Sequence, residues 1–479
     1  MNNIYDLVIV GSGPSSLALA QCCCKLNLKI LIIDREASIG GCHKVRKVFV
    51  PELNESLFCE HGPRIYGEAY VVFKKLLKEM GVDFYDLFKK YNFGITQIGG
   101  ETIFSTLSTY ELSIITKAFF YLIINENYGN DIVLYDYIIN FKPESKEIID
   151  RICKLTDGGG SDKFTLNKFL QLFNQQFFYD LYQPKKPNDI SLLKIWKEYL
   201  EKQGVNFMLN ADIKHIGIRD NKIDYFDVNN NRIYSKKFVL AVPPENLVDI
   251  MNKFEIPNSL GNLEKFAKDT KYIDYISISF HWNKKINLKK VYGFPKSEWG
   301  IAFIVLSDYM DFGNVNSKVV ISTAITLSDR ISSNNGKTAN QCNKQELFNE
   351  VLHQLKLSFG DIENHTSVLM SPGVSYSENE KKWVSIDTAF ISSATWIDSL
   401  PFECGIISNL YNLGTHNGKS LYKFTSLESA VSNGVYLSDV LYGTNNRKMI
   451  TKTTSVTDVL NNIIIAIIIY FIYHVIKEN

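Results

Sequence analysis

Residues 5–41 read YDLVIVGSGPSSLALAQCCCKLNLKILIIDREASIGG, and this stretch decides the fold of the chain. Residues 6–10 predict a short apolar strand, the glycine-rich turn after them opens a helix, and residues 27–33 predict a second strand. In this order, the free N–H groups of a helix N-terminus face the end of a strand, where they can bind a pyrophosphate. The stretch therefore predicts a dinucleotide site in a doubly wound α/β domain.

Each residue type in the turn has a physical role. Gly11 makes the tight turn, Gly13 leaves room for phosphates, and Ser16 stands where a third glycine serves only close helix packing. Asp34 ends the second strand about 20 residues after the turn, where an acid accepts a hydrogen bond from a free ribose 2′-hydroxyl. The pattern is compatible with either FAD or NAD, and the alternative is a glycine turn that binds no ligand.

Composition limits the remaining classes. The chain has 479 residues, enough for two or three domains, and a net charge of only +1, which argues against a nucleic-acid partner. The eight cysteines include the run Cys22-Cys23-Cys24, which favours a reducing compartment. No CxxC or HExxH motif occurs, so we predict no metal site. The polar residues 1–6 predict no signal peptide, so we expect a protein that is not secreted.

The order of apolar patterns divides the chain, because helical stretches and alternating strands interrupt the nucleotide fold twice. The predicted regions are the first part of the cofactor domain (1–100), a helical insertion with substrate contacts (101–189), the second part of the cofactor domain (190–256), the antiparallel or mixed sheet of a substrate domain (257–392), the third part of the cofactor domain (393–443), a linker (444–455) and a candidate membrane anchor (456–476).

The C-terminal region is apolar. Residues 463–476 read IIIAIIIYFIYHVI and follow a polar stretch that contains Arg447, Lys448 and Lys452. Basic residues next to a membrane segment are typical of its cytoplasmic side, so we expect the protein at the cytosolic face of a membrane. The alternative is a helix that packs on this protein or on a partner, because the apolar core is short for a span.

Four separated motifs lie in residues 5–442. The first is the opening turn with Asp34-Arg35 and Gly40-Gly41, and the second is EHGPR at residues 60–64. The third is GVNFMLNADIKHI followed by FVLAVPPENL, and the fourth is LYNLGTHNG followed by FTSLESAVSNGVYLSDVL. Their order and spacing resemble the FAD-containing amine oxidase superfamily, which includes monoamine and polyamine oxidases, protoporphyrinogen oxidases and phytoene-type desaturases. Two residues depart from the family pattern, since Cys42 replaces an arginine and His416 replaces an acid.

The resemblance implies a Rossmann-like FAD domain that is interrupted by a helical insertion and a mixed-sheet substrate domain. The apolar residues beyond it predict an additional C-terminal hydrophobic helix. It favours non-covalent FAD over NAD, and it places the start of a helix at residue 426 against the flavin, where a helix dipole stabilises negative charge. The residues that it places at the cofactor are Gly11, Gly13, Pro14, Ser15, Ser16, Asp34, Arg35, Gly40, Gly41, Cys42, Gly62, Pro63, Arg64, Ile213, Gly414, Thr415, Ser426, Leu427 and Ala430.

The implied activity is that of a flavin-dependent oxidoreductase that takes hydride from a C–N or C–C bond of a small organic substrate. The motifs identify no catalytic side chain, electron acceptor or oligomeric state. Three alternatives stay open: a protoporphyrinogen oxidase or polyene desaturase/isomerase, a flavin-dependent sugar-nucleotide mutase, and a non-enzymatic binding protein that resembles the GDP-dissociation inhibitors.

Overall fold

The computed structural model describes residues 4–60, 64–91, 103–157, 159–257, 260–272, 275–288, 297–386, 390–393 and 399–478. The strands in these ranges, numbered in chain order, are β1 (Ile4–Val10), β2 (Ile30–Ile33), β3 (Lys47–Val50), β4 (Glu55–Phe58), β5 (Tyr66–Gly67), β6 (Phe88–Tyr91), β7 (Leu181–Pro184), β8 (Asn206–Met208), β9 (Ile213–Arg219), β10 (Lys222–Val228), β11 (Asn231–Leu240), β12 (Thr270–Tyr272), β13 (Ile276–Trp282), β14 (Ile301–Val305), β15 (Val319–Ile325), β16 (Ser367–Met370), β17 (Val374–Ser377), β18 (Lys382–Ser385), β19 (Phe390–Ser393) and β20 (Leu410–Asn412). The α-helices there are α1 (Pro14–Cys24), α2 (Val71–Glu79), α3 (Phe84–Leu87), α4 (Ile103–Thr106), α5 (Thr109–Ile124), α6 (Leu134–Tyr137), α7 (Pro143–Asp157), α8 (Leu166–Gln176), α9 (Leu192–Lys202), α10 (Pro244–Lys253), α11 (Leu263–Asp269), α12 (Lys344–Phe359), α13 (Leu427–Tyr442) and α14 (Val456–Glu478).

The largest sheet has the order β8-β2-β1-β11-β10-β9, and β20 also pairs with β11. The pairs among β8, β2, β1, β11 and β20 are parallel, and β9 and β10 form an antiparallel extension. All four residues of β2 are buried, which is typical of a parallel strand with both faces covered. The predicted doubly wound, Rossmann-like domain is confirmed.

Helices α1 and α13 pack closely against each other on this domain. An ideal Cβ at Gly434 of α13 would lie 2.3 Å from the backbone oxygen of Ser15 in α1, so only glycine permits this crossing. Glu428, in the first turn of α13, accepts hydrogen bonds from the backbone N–H groups of Val72 (2.8 Å) and Phe73 (3.0 Å). Its carboxylate thereby caps the N-terminus of α2, which it joins to α13.

Two further regions have apolar cores of their own. Helices α5, α6, α7 and α8 enclose a core that includes Leu134, Phe164 and Phe169, which confirms the helical insertion. The antiparallel sheet β14-β15-β13-β16 packs with α12 around Trp282 and Trp299, which confirms the predicted second sheet, while its contact with substrate stays a prediction.

The predicted linker is docked on the body of the protein. The Asp439 carboxylate accepts the backbone N–H groups of Asn446 (2.5 Å) and Arg447 (2.9 Å), and Lys75 donates to the Met449 carbonyl (2.8 Å). Helix α14 follows, and among the described residues it is the one helix long and apolar enough to cross a membrane, over residues 456–477.

Candidate cofactor and substrate cavity

A cavity of about 880 Å³ lies where the nucleotide sheet, the helical insertion and the antiparallel sheet meet. Val10, Ile33 and Ala241 line it at the carboxyl ends of β1, β2 and β11. Ligands of open α/β sheets bind at this edge of the sheet, and the volume lies within the usual range for cofactor and ligand sites.

The N-terminus of α1 opens on this cavity. The N-cap residue is Gly13, and among the described residues no side chain caps the backbone N–H groups at this end of the helix. Pro14 is the first residue of the helix. The first helical hydrogen bond runs from the Leu17 N–H to the Gly13 carbonyl (3.1 Å), so the N–H groups of Ser15 and Ser16 precede it. An anion at this position would receive hydrogen bonds that the helix itself does not use.

The glycines of the turn serve different purposes. Gly11 has φ +98°, and its ideal Cβ would lie 2.4 Å from the Ala241 oxygen, so the protein itself excludes a side chain there. At Gly13 the nearest atom to an ideal Cβ is the Gly41 Cα, 3.9 Å away. Since Gly13 lines the cavity, a side chain would occupy space that a ligand can use. Gly41 has φ +55°, and its Cβ would lie 2.9 Å from the Gly13 Cα.

Asp34 lies at the end of β2 beside the turn. Its Oδ2 accepts the backbone N–H (2.7 Å) and the hydroxyl (2.5 Å) of Ser12, and its Oδ1 accepts the N–H of Glu36 (2.9 Å). A carboxylate has about four acceptor sites, so one remains for a ligand hydroxyl. The contact with Ser12 was not predicted, and it shows that Asp34 also holds the glycine turn in place.

A buried lysine, Lys44, pairs with Glu36 in the loop after β2. The Lys44 ammonium lies 3.4 Å from the Glu36 carboxylate, and both residues line the cavity. Lys44 comes two residues after Cys42, which stands where the family pattern has an arginine. Sequence reasoning missed Lys44 because a lysine in a loop is most often a surface residue.

Arg64 contacts the cavity from the second motif. Its side chain is 13% exposed, and its Nε lies 3.5 Å from the Glu60 carboxylate. Burial raises the pKa of Glu60 to about 7, and the Arg64 guanidinium opposes this shift. Arg64 is therefore not a surface cation. Gly62 and Pro63 lie outside the described residues.

The fourth motif covers another part of the wall. The His416 imidazole lies over Gly414, where an ideal Cβ would be 2.4 Å from the ring Cε1. His416 Nε2 lies 2.8 Å from the Asn412 Oδ1, and the Asn412 amide donates to the Pro401 carbonyl. Because this amide orientation leaves Oδ1 as an acceptor, Nε2 carries the proton. Burial lowers the pKa of His416 to about 3, so the ring is neutral.

Helix α13 also begins at the cavity, and it has a capping box. The Ser426 hydroxyl accepts the N–H of Ser429 (3.2 Å), and the Ser429 hydroxyl accepts the N–H of Ser426 (2.8 Å). Leu427 and Ala430 line the cavity from the first turn. The N-terminal dipole of α13 therefore faces the cavity, while the cap satisfies part of its backbone.

The structure brings most of the predicted residues to one wall. Ser16 is fully buried and Gly40 lies beside Leu193, so both are placed behind this wall and not on it. The predicted residues that line the cavity are Gly11, Gly13, Pro14, Ser15, Asp34, Arg35, Gly41, Cys42, Arg64, Ile213, Gly414, Thr415, Ser426, Leu427 and Ala430.

Another part of the cavity lining is apolar and aromatic, and the motifs do not identify it. Phe173 and Gln176 come from α8, Tyr422 comes from the loop before α13, and the Gln176 amide donates to the Tyr422 hydroxyl. Ala302 and Ala324 come from β14 and β15. An apolar wall with a few polar groups suits a small organic ligand.

Comparisons with known proteins agree with this architecture. A model of the NAD(P)-binding Rossmann-like domain matches residues 9–80. An oxidoreductase from Methanosarcina mazei superposes with a TM-score of 0.63 at 12% identity and covers 91% of this chain and 100% of its own. Cyclohexylamine oxidase from Brevibacterium oxydans gives 0.62 at 12% identity, with 92% and 99% coverage. The chain shares the fold of these two solved structures.

A further solved structure, from Exiguobacterium sp. and assigned as a protoporphyrinogen oxidase, has a TM-score of 0.62 at 14% identity and covers 92% of this chain and 99% of its own. No curated protein sequence matches the chain. At these identities the likeness shows the fold, which confirms the predicted fold class, while the activity has to be argued from the cavity.

Proposed function

We propose that the protein is a flavin-dependent oxidoreductase of the amine oxidase type, which removes hydride from a C–N or C–C bond of a small organic substrate. The observation that carries the proposal is that one cavity is lined both by an uncapped helix N-terminus and the acid at the end of β2 and by apolar and aromatic side chains. The fold that the chain shares with amine oxidases supports the same activity.

The residues present fit non-covalent FAD. The first N–H groups of α1 and the space beside Gly13 would hold the pyrophosphate, and the remaining acceptor site of Asp34 would bind a ribose hydroxyl. Ile213 would contact the adenine, and Gly414 and the start of α13 would lie at the flavin. When bound, FAD supplies the hydride-accepting chemistry.

The protein's own part is to position the substrate and to exclude water. The aromatic wall around Phe173 and Tyr422 offers contact area for an apolar substrate. Neutral His416, held by Asn412, keeps its position without adding a charge to the cavity. The N-terminal dipole of α13 favours negative charge that develops on a bound ligand.

The test is the absorption spectrum of the purified protein. We expect a yellow protein whose flavin absorbance falls when a substrate is added without oxygen, in a screen of amines, porphyrinogens and polyenes. Bleaching by porphyrinogens or polyenes alone would favour the second candidate, an oxidase or desaturase of large apolar rings and chains, which the apolar wall also suits. A colourless protein that cannot be reconstituted with FAD would contradict the enzyme and favour a binding protein.

We also propose that α14 attaches the protein to a membrane. The side chains of residues 463–476 are exposed to solvent, except that His474 is partly buried. A helix with an apolar surface all round is stable in lipid rather than in water. Removal of residues 463–479 leaves the docked first turns in place. The truncated protein should move from the membrane pellet to the soluble fraction and keep its flavin, whereas a truncated protein that stays in the pellet would contradict the attachment.

A further inference from the structure

The free part of α14 is too short to cross a bilayer. The first turns of α14 are bound to the rest of the protein. The backbone N–H of Thr457 donates to the side-chain oxygen of Asn174 (2.9 Å), and the Asn461 amide contacts the backbone oxygen of Ile123 (3.5 Å). Residues 463–476 extend only about 21 Å at roughly 1.5 Å per residue, against a hydrocarbon thickness near 30 Å. A helix of this length thins the bilayer or enters only part of it, and a further apolar contact beside it strengthens the attachment.

Helix α5 lies beside α14 at this level. Glu126, after the end of α5, contacts Lys452 (3.3 Å), which precedes α14, whereas Ile123, inside α5, contacts Asn461, which is inside α14. The two helices therefore run in opposite directions. Phe120, one turn before Ile124, therefore lies farther toward the apolar part of α14.

The outer side of α5 is apolar where this would place it in lipid. Ile124 is 82% exposed and Phe120 is 60% exposed, and Tyr121 is exposed beside them. Lys117, one turn earlier, lies 5.8 Å from the Tyr121 ring, and a lysine can bury its stem in lipid and keep its ammonium at the headgroups. We call Phe120, Tyr121 and Ile124 the α5 apolar surface.

We propose that the α5 apolar surface enters the bilayer beside α14 and forms a second lipid contact. This inference rests on the proposed attachment through α14 and goes beyond it, because it turns the helical insertion toward the lipid. Immersion of the α5 apolar surface adds buried apolar area beside the short apolar part of α14, and membrane binding strengthens with the apolar area that lipid covers.

The experiment places a fluorescent label at single cysteines of the full-length protein in phosphatidylcholine vesicles that contain quencher-labelled lipid. The variants are Ile468→Cys in α14, Ile124→Cys in α5, and Leu357→Cys in α12, where the side chain is 68% exposed on the antiparallel-sheet domain. Seven native cysteines are buried and Cys42 is partly exposed, so the unsubstituted protein serves as the labelling blank. We expect at least twofold stronger quenching at positions 468 and 124 than at position 357.

The outcomes separate this proposal from the one that it rests on. Quenching at position 468 without quenching at position 124 would overturn the second lipid contact and leave the α14 attachment intact. An absence of quenching at position 468 would overturn both. Protection of the label at position 124 that rises with protein concentration in detergent, without lipid quenching in vesicles, would show that the surface binds a second copy of the chain and would overturn the proposal.

Discussion

Helices α1 and α13 both begin at the cavity, and their N-termini are built in different ways. At Gly13 no side chain within the described ranges caps α1, and Pro14 contributes no N–H group. At Ser426 a capping box satisfies the start of α13 within the helix itself. An uncapped terminus that lines a cavity is suited to an external anion, and a capped terminus contributes mainly its dipole. The comparison therefore supports the proposed phosphate contact at α1 and the proposed charge-stabilising role of α13.

The largest effect on this difference between the two helix termini is expected from a substitution at Gly13. Gly13→Val should leave the fold intact, because Gly13 has φ −71° and an ideal Cβ contacts no protein atom within 3.8 Å, yet it should lower flavin content at least tenfold. The measurement is the ratio of flavin to protein absorbance, together with the melting temperature. Gly41→Ala is the matched control, since its Cβ would collide with the turn itself and should lower stability as well. Full flavin content in folded Gly13→Val protein would show that the phosphate does not bind here.

Substitution of Asp34 tests the proposed ribose contact, which lies beside the N-terminus of α1. Asp34→Ala should weaken FAD binding by about 1–3 kcal/mol, the usual cost of a lost charged hydrogen bond, or roughly 5- to 150-fold in Kd. The measurement is a titration of the flavin-free protein with FAD. Ser12→Ala is the control, because it removes the hydroxyl from Asp34 Oδ2 and leaves the carboxylate for the ribose. Equal FAD affinities for the Asp34→Ala and Ser12→Ala proteins would show that Asp34 does not bind the ribose.

The α13 side should respond to pH through His416. The pKa of His416 in the folded protein is about 3, below its ordinary value of 6.5, so the stability that neutral His416 contributes is present above pH 6.5 and falls as the pH drops toward 3. The contribution of His416 alone should fall by roughly 2 kcal/mol between pH 6.5 and pH 5. Glu60 and Glu428, whose pKa values burial raises to about 7, act in the opposite direction over the same range. Unfolding of the wild-type and His416→Gln proteins by urea at both pH values isolates the His416 contribution, because the wild type should lose more stability, or gain less, than the variant. His281, with its pKa lowered to about 4 by burial, should retain part of the dependence in that variant. An unchanged difference in His416→Gln would assign the effect to other groups.

The smallest effect should come from the α13 cap. Ser426→Ala removes the hydroxyl that accepts the Ser429 N–H, which should lower the free energy of unfolding by about 1 kcal/mol. Flavin content should stay the same, because the dipole comes from the backbone. If Ser426→Ala instead loses flavin as Gly13→Val does, the two helix termini have the same role and the comparison fails.

The sequence predicts the part of the site that depends on backbone. Gly11, Gly13 and Asp34 occupy positions set by a strand, a turn and a helix that follow each other directly, so local spacing is sufficient to place them. The fourth motif is predicted at the site only through its resemblance to a known family. In the structure, the pairing of β20 with β11 brings this motif to the same edge of the sheet. The fold class could be predicted for the same reason, because each part of the parallel sheet carries its own apolar pattern.

The aromatic wall and Lys44 could not be predicted in this way. Phe169 and Phe173 are one turn apart in α8, yet Phe169 is fully buried in the helical core while Phe173 lines the cavity, and periodicity alone does not separate the two. Lys44 is buried because Glu36 lies beside it, and this pairing depends on how the loop after β2 folds back. Such contacts between side chains are tertiary, so no local signal encodes them.

The glycine contact between α1 and α13 has a consequence for how the chain acquires its structure. Gly434 meets Ser15 across more than 400 positions of the chain, and β20 joins the sheet only shortly before α13. Until residues 410–442 are available, α1 lacks its largest packing partner, and residues 238–240 of β11 lack a neighbouring strand on one edge. We therefore expect the unfinished chain to depend on chaperones, because an uncovered apolar helix and an open strand edge favour aggregation during synthesis.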